Sequence, residues 1–438
     1  MARKNPKSKF HRRSGMTRIR GGCSLLLAAL GIVACGPQFD PPSQLKSLRV
    51  LGVKKDDPYA RVKPPDSGDV AANSEPDNVV EMTMAWQDAR AESDRSGPIE
   101  RLWFAGCDDP PGDTYFSCLL EVWLTYRAYL SFGPGELTDG ESWSPSDEPD
   151  VDAKLGFINE IAPEIPVESR SELLPLLDGL SIGRGDRFAV TVPPDLIERH
   201  LASTEPGYPP YGLSYVFFTL CDGRIDIAPD WTEEVDITTL LTDATRGFPL
   251  ACYDRDSGEE RGPDNYVAGY SSYYAYQNVT NHNPVVDGFE IDGQPVPASS
   301  LCIGLDCSNS SPTGVPDPCE DPESFHLAAC DQEQSGGCPR LSIKPVLDRD
   351  KNSEMDELST NLESSREPLL EQMWIKYFAD FGDVDRNVKR LQDAIEGWFD
   401  DFGTKWRVPK RKGPVHLWSL VYDNRGGIDW ARVDICLE

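Results

Sequence analysis

Histidine is scarce in this chain: 438 residues hold five, His11, His200, His282, His326 and His416, and no two stand at metal-ligand spacing. There is no HExxH pair, no GxSxG nucleophile elbow and no paired CxxC. The commonest frames for zinc hydrolysis, serine hydrolysis and structural zinc are therefore missing. Ser43-Gln44-Leu45-Lys46 and Asp380-Phe381-Gly382 spell catalytic motifs, but neither has its companion elements. Basic charge is also short, with 43 lysines and arginines against 73 carboxylates and a net charge of −30. Such a surface repels phosphate backbones, which excludes nucleic acid as a partner and suits solubility, cations or a basic partner. With so many carboxylates, a nearby pair says nothing about acid–base catalysis. These absences predict a protein that is not an enzyme and that uses no cofactor.

The apolar run Leu25–Ala34 follows Arg12, Arg13, Arg18 and Arg20. It falls well short of the ~20 residues that cross a bilayer, so residues 1–34 are expected to be a secretory signal. Its ending, Ile32-Val33-Ala34-Cys35, resembles a bacterial lipobox. That resemblance implies diacylglycerol on the Cys35 thiol, a membrane anchor through this lipid, and a place in the cell envelope. Gly36, where Asp would favour the inner membrane, points to the outer one. Met16 begins a complete signal of the same kind, so the true start is open between Met1 and Met16. Loss of residues 1–34 removes eight basic side chains and no acidic one, taking the charge from −30 to −38. Residues 35–46, Pro-rich and polar, are expected to be a lipidated tether.

From Ser47 the chain shows short β-branched and aromatic runs between turn residues, the pattern of a sandwich rather than a parallel sheet. Acidic stretches at 131–180, 223–262 and 345–370 are expected to be loop insertions, with some helix near Asp152–Ile161 and Ile197–Leu201. Apart from Cys23 and Cys35, ten cysteines remain: Cys107, Cys118, Cys221, Cys252, Cys302, Cys307, Cys319, Cys330, Cys338 and Cys436. An even number in an exported chain predicts up to five disulfides. Cys107 with Cys118 and Cys221 with Cys252 are the expected local pairs, and a Cys107–Cys221 bridge is the alternative. Pairing among the other six is open.

The second half echoes the first. Leu102-Trp103-Phe104 answers to Met373-Trp374-Ile375, and Val190-Thr191-Val192-Pro193 to Trp406-Arg407-Val408-Pro409. YGLSYVFFTLCDGR at 211–224 answers to VHLWSLVYDNR at 415–425. The expected fold is all-β: two tandem Ig-like sandwiches, 47–281 and 282–438, meeting at Asn281–Pro284 and able to fold separately. Long acidic insertions and minor helix accompany them. Trp103 and Trp374 are expected to fill the space between the sheets. Val388, Leu391, Ile395, Trp398 and Phe402 follow helical spacing, although a sandwich asks for a strand or connection there.

IVAC at 32–35, SLRVLGV at 47–53 and GPVHLWSLVYDNRGGIDW at 413–430 together resemble bacterial lipoproteins with tandem immunoglobulin-like, or cadherin-like, sandwiches. The resemblance implies surface display and binding, with an envelope protein or polysaccharide as partner. A secreted hydrolase or carbohydrate-active module on a β scaffold is the alternative. One stretch suggests a cation. Asp348, Asp350, Asn352, Glu354 and Asp356 alternate like oxygen ligands for calcium, but Ser353 and Ser359 stand where an EF-hand needs Gly and Glu. Asp383, Asp385 and Asn387 repeat the opening of that pattern. A solvated acidic loop is the competing reading of both.

Overall fold

The computed structural model describes residues 43–60, 78–90, 92–148, 150–161, 174, 177, 179–200, 209–231, 247–276, 279–303, 317–332, 337–361 and 369–438. Cys35, Cys307, the signal and most of the tether lie outside them. Among the described residues, the strands longer than three residues in the first half are β1 Leu48–Lys55, β2 Val79–Asp88, β3 Glu100–Asp108, β4 Ser181–Arg184, β5 Arg187–Thr191, β6 Tyr211–Cys221, β7 Arg224–Ile227, β8 Leu250–Tyr253 and β9 Tyr266–Tyr276. The second half has β10 Gly288–Ile291, β11 Arg340–Val346, β12 Met373–Ala379, β13 Val388–Asp393, β14 Thr404–Arg407, β15 Gly413–Asp423 and β16 Ile428–Leu437.

The sheets repeat. One sheet runs β1-β2-β5 and faces β9-β6-β3-β4, which is extended at its ends by Tyr59–Ala60 and Ser142–Trp143. The second half has β10-β11-β14 facing β16-β15-β12-β13. In each, the first, second and fifth strands of the set oppose the last, sixth, third and fourth. The chain is therefore two tandem Ig-like sandwiches, the first carrying the β7–β8 hairpin as an addition. Met82, Met84, Trp86, Trp103, Phe188, Val216 and Phe218 fill the first core. Ile343, Ile375, Tyr377, Trp406, Leu417, Val433 and Ile435 fill the second.

Trp103 lies where the sequence predicts, buried, with its indole N–H donating to Gly185 O at 2.8 Å. Trp374 does not. Alternation along β12 turns Met373, Ile375, Tyr377 and Ala379 inward and leaves Trp374 on the other face, stacked on Tyr422 with centroids 6.1 Å apart. Trp406 fills the second core instead, donating to Phe381 O at 2.8 Å. The helical spacing over 385–402 also fails. Val388–Asp393 pairs with β12, and Asp393 Oδ1 accepts the Ile395 and Glu396 amides ahead of Gly397 at φ 78°. Turn chemistry outweighs a weak helical period, and Ile395 ends up in solvent.

The 131–180 stretch is more than a solvated loop. Helix α1, Leu119–Phe132, and helix α2, Val151–Ile161, cover the outer face of the β9-β6-β3-β4 sheet. Tyr126, Trp143, Phe157, Leu177 and Trp231 are buried there against Phe104 and Phe217. Tyr126 also donates its hydroxyl to Ile225 O at 2.7 Å.

Residues Pro42–Glu438 pack as one unit, because the two sandwiches share a dry face. Leu51 and Ala85 from the β1-β2-β5 sheet meet Trp418, Leu420, Ile428 and Trp430 on the outer face of β15 and β16. Gly52 permits the approach: a Cβ there would stand 2.4 Å from Ile428 Cδ1. Lys54 Nζ reaches Asp429 at 2.7 Å, and Leu45, fully buried, donates its amide to Ala379 O at 2.8 Å. The last residues of the expected tether are thus docked. All ten residues of β16 are buried, since both of its faces are covered.

A buried polar cluster borders this face. The Arg425 guanidinium binds Glu371, Glu354 (3.2 Å) and Thr280 O (3.2 Å). Asp423 accepts the amides of Arg425 at 2.7 Å and Gly427 at 2.8 Å. Lys55 Nζ donates to Ser272 O at 2.9 Å. Burial holds the Lys55 ammonium down at about 8, against the pull of Asp423. Burial, with the charge of Asp423, pushes the Glu371 carboxyl well above the usual carboxylate range, against Arg425.

Candidate functional site

The end of β3 passes into a tight loop closed by the Cys107–Cys118 disulfide, whose Cα atoms are 5.6 Å apart. Inside the loop Asp109 and Asp113 hold left-handed backbones, at φ 50° and 55°. Aspartate tolerates this region better than most residues, and such strained positions persist where surrounding structure enforces them. Here the disulfide and the Asp109 amide, donating to Leu213 O at 2.8 Å, enforce it.

The loop sets the two carboxylates against one imidazole. His200 Nδ1 lies 2.6 Å from Asp109 Oδ1 and 3.9 Å from Asp113 Oδ1. Its ring packs 4.2 Å from that of Tyr211, and the Tyr211 hydroxyl donates to Asp113 Oδ2 at 3.0 Å. Among the described residues no lysine or arginine pairs with either carboxylate. Arg199, next in sequence to His200, is held by Asp195 at 2.8 Å.

Beside them lies an aromatic face. Tyr115 stacks on Tyr270 of β9, centroids 4.2 Å apart and planes 20° from parallel. Phe116 meets Tyr115 edge-on at 5.8 Å. Tyr215 of β6 links the two features: its ring contacts both Tyr115 and Tyr270, and its hydroxyl donates to Asp113 O at 2.9 Å. Tyr115, Phe116 and Tyr270 remain 40%, 46% and 45% exposed, which is unusual for three touching aromatic rings.

The five residues expected to ligate calcium are not gathered around a point. Asp348 caps the turn 349–352 through the Asp350 amide at 2.9 Å. The Asn352 side chain is buried and holds Val285, accepting the Val285 N–H at Oδ1 (2.7 Å) and donating from Nδ2 to Val285 O (3.1 Å). Glu354 binds His282 and Arg425, and Asp356 accepts the Leu358 and Ser359 amides. Asp348, Asn352, Glu354 and Asp356 thus serve local caps, backbone bonds and ion pairs. Asp383 and Asp385 are likewise held by Arg407 and Arg340. Among the described residues no group of three or more His, Cys, Asp or Glu forms a metal-binding set.

The cysteines pair as Cys107–Cys118, Cys221–Cys252, Cys319–Cys436 and Cys330–Cys338, and Cys302 is also disulfide-bonded. His416 Nδ1 bonds Asp434 Oδ1 at 2.7 Å, and Asp434 lines a small hollow with Ser300, Asp321, Ser324 and Arg432. Burial opposes charge on that imidazole, but Asp434 and Asp380 outweigh it and raise its proton affinity.

No family model matches the chain, and no curated protein matches it. Among solved structures it is similar to the FN1–FN3 domains of chicken CNTN1, at 8% identity. That match covers 91% of this chain and 68% of the other, with a TM-score of 0.16, too low to support any functional comparison.

Proposed function

We propose that this chain is a lipid-anchored, exported cell-envelope protein that binds a partner and performs no chemistry on it. The supporting observation is the exposed aromatic face on the first sandwich, held by a disulfide-closed loop and several hydrogen bonds. Recognition surfaces of this kind sit on loops braced by a rigid scaffold. The sandwich boundary at 281/282, the anchor at Cys35 and outer-membrane placement complete the reading. Replacing Cys35→Ser should abolish fatty-acid labelling and move the protein from the membrane to the soluble fraction. A variant still labelled and membrane-bound would refute the anchor.

One observation favours a second reading, a carbohydrate-active module: Asp109 and Asp113 lie together beside aromatic rings. Glycoside hydrolysis needs two carboxyls flanking a substrate bond. Here both approach the same imidazole nitrogen, so His200 occupies the space where that bond would lie. The binding reading is the stronger.

A further inference from the structure

We propose that the face formed by Tyr115, Phe116 and Tyr270 receives a basic peptide segment, with an arginine side chain laid on the rings and directed toward Asp109 and Asp113. This deepens the binding role given above and rests on it. Three exposed rings, Phe116 and Tyr270 each meeting Tyr115, offer π faces, and a guanidinium is the planar cation that stacks best on such a face. Tyr215 ties the Asp113 backbone to these rings, since its ring touches Tyr115 and Tyr270 and its hydroxyl donates to Asp113 O, and Asp113 stands two residues before Tyr115 in the same disulfide-closed loop. Neither carboxylate has a lysine or arginine partner among the described residues, and the side chain of Asp113 is 43% exposed.

A neutral sugar would cover the rings but bring no cation to the two carboxylates, which the His200 ring and the Tyr211 hydroxyl already bond; arginine brings both a planar group and a charge. The whole-chain charge of −30 adds long-range steering toward a basic partner. The rings need little reorganisation on binding, because Tyr115 lies within the Cys107–Cys118 loop and Tyr270 is fixed in β9 opposite Phe217.

The test is calorimetric titration of the full chain, in neutral detergent, with hexa-arginine and separately with chitohexaose. Hexa-arginine should bind, and Tyr270→Ala, which leaves every charge in place, should weaken it by about three- to thirty-fold. Tyr270→Phe keeps the ring and should bind like the wild type, which separates lost stacking from damage to the fold. Asp113→Asn should weaken binding and flatten its salt dependence. Equal hexa-arginine affinity in wild type and Tyr270→Ala would show diffuse attraction to an acidic surface and overturn the proposal. Binding of chitohexaose without hexa-arginine would overturn the cationic ligand while leaving a binding role intact. Failure of both probes would overturn the ligand and remove the support for a binding role at this face.

Discussion

Lys55 offers the most direct measure of how dry the face between the sandwiches is. Its ammonium is buried, donates one hydrogen bond to Ser272 O and feels Asp423. Burial lowers its proton affinity from 10.5 to about 8. At ~1.4 kcal/mol per pH unit, that fall makes the buried charge cost roughly 3 kcal/mol when both folded and unfolded chains are protonated. The folded value lies below the unfolded one. The cost is therefore fully present below pH 8 and is relieved as pH rises from 8 toward 10.5. Lys55→Met keeps the length of the side chain and removes the charge, but gives up the bond to Ser272, worth ~1 kcal/mol. The variant should be more stable than the wild type by about 2 kcal/mol at pH 7, and the gap should close toward pH 10. Paired urea unfolding curves at pH 7, 8, 9 and 10 measure it, and comparison with the variant cancels the titration of other groups. A gap that does not change with pH would mean that Lys55 is solvated and the two sandwiches part in solution.

Glu371 has the opposite dependence. Its folded value is raised, so the stability tied to its protonated form is present at low pH and is lost as pH climbs above the ordinary carboxylate range. Glu371→Gln should match the wild type near pH 5 and exceed it near pH 9 by at least ~1.4 kcal/mol in urea unfolding; a variant weaker at both would contradict this. Gly52→Val should cost about 1–3 kcal/mol by forcing a side chain against Ile428 and Leu420. Unchanged urea midpoints in that variant would argue against the close approach.

Strand order was legible in the sequence because each strand carries its own signal, and the turns Asp222-Gly223-Arg224 and Asp423-Asn424-Arg425 mark equivalent corners. Which face of a strand lies inward was less legible. Trp374 and Trp103 sit in similar tripeptides, yet a one-residue difference in phase sends one outward. Helix α1 escaped notice because LLEVWLTYRAYLSF is apolar on most sides, as a helix packed beneath other elements must be. The aromatic face depends on bringing residue 115 beside residue 270, a pairing no local pattern announces. The tyrosine-rich run YVAGYSSYYAY and the cysteine-bracketed DDPPGDTYFS were its visible halves. Alternating Asp and Glu also describe residues that cap turns, as Asp348 and Asp356 do here.

The contact between β1 and β16 also sets a timetable. Lys54 and Asp429 are 375 residues apart, so the contact that joins the sandwiches is among the most non-local a chain of this length can make. Closing such a loop costs entropy before any burial rewards it, and contacts of this reach form late. As the exported chain proposed above emerges from the membrane N-terminus first, the β1-β2-β5 sheet can assemble before β16 arrives to cover it. Leu51 and Ala85 then face solvent until almost every other described residue has crossed. An exported protein of this design keeps one sticky side open during transit, and arrival of its final hairpin closes it.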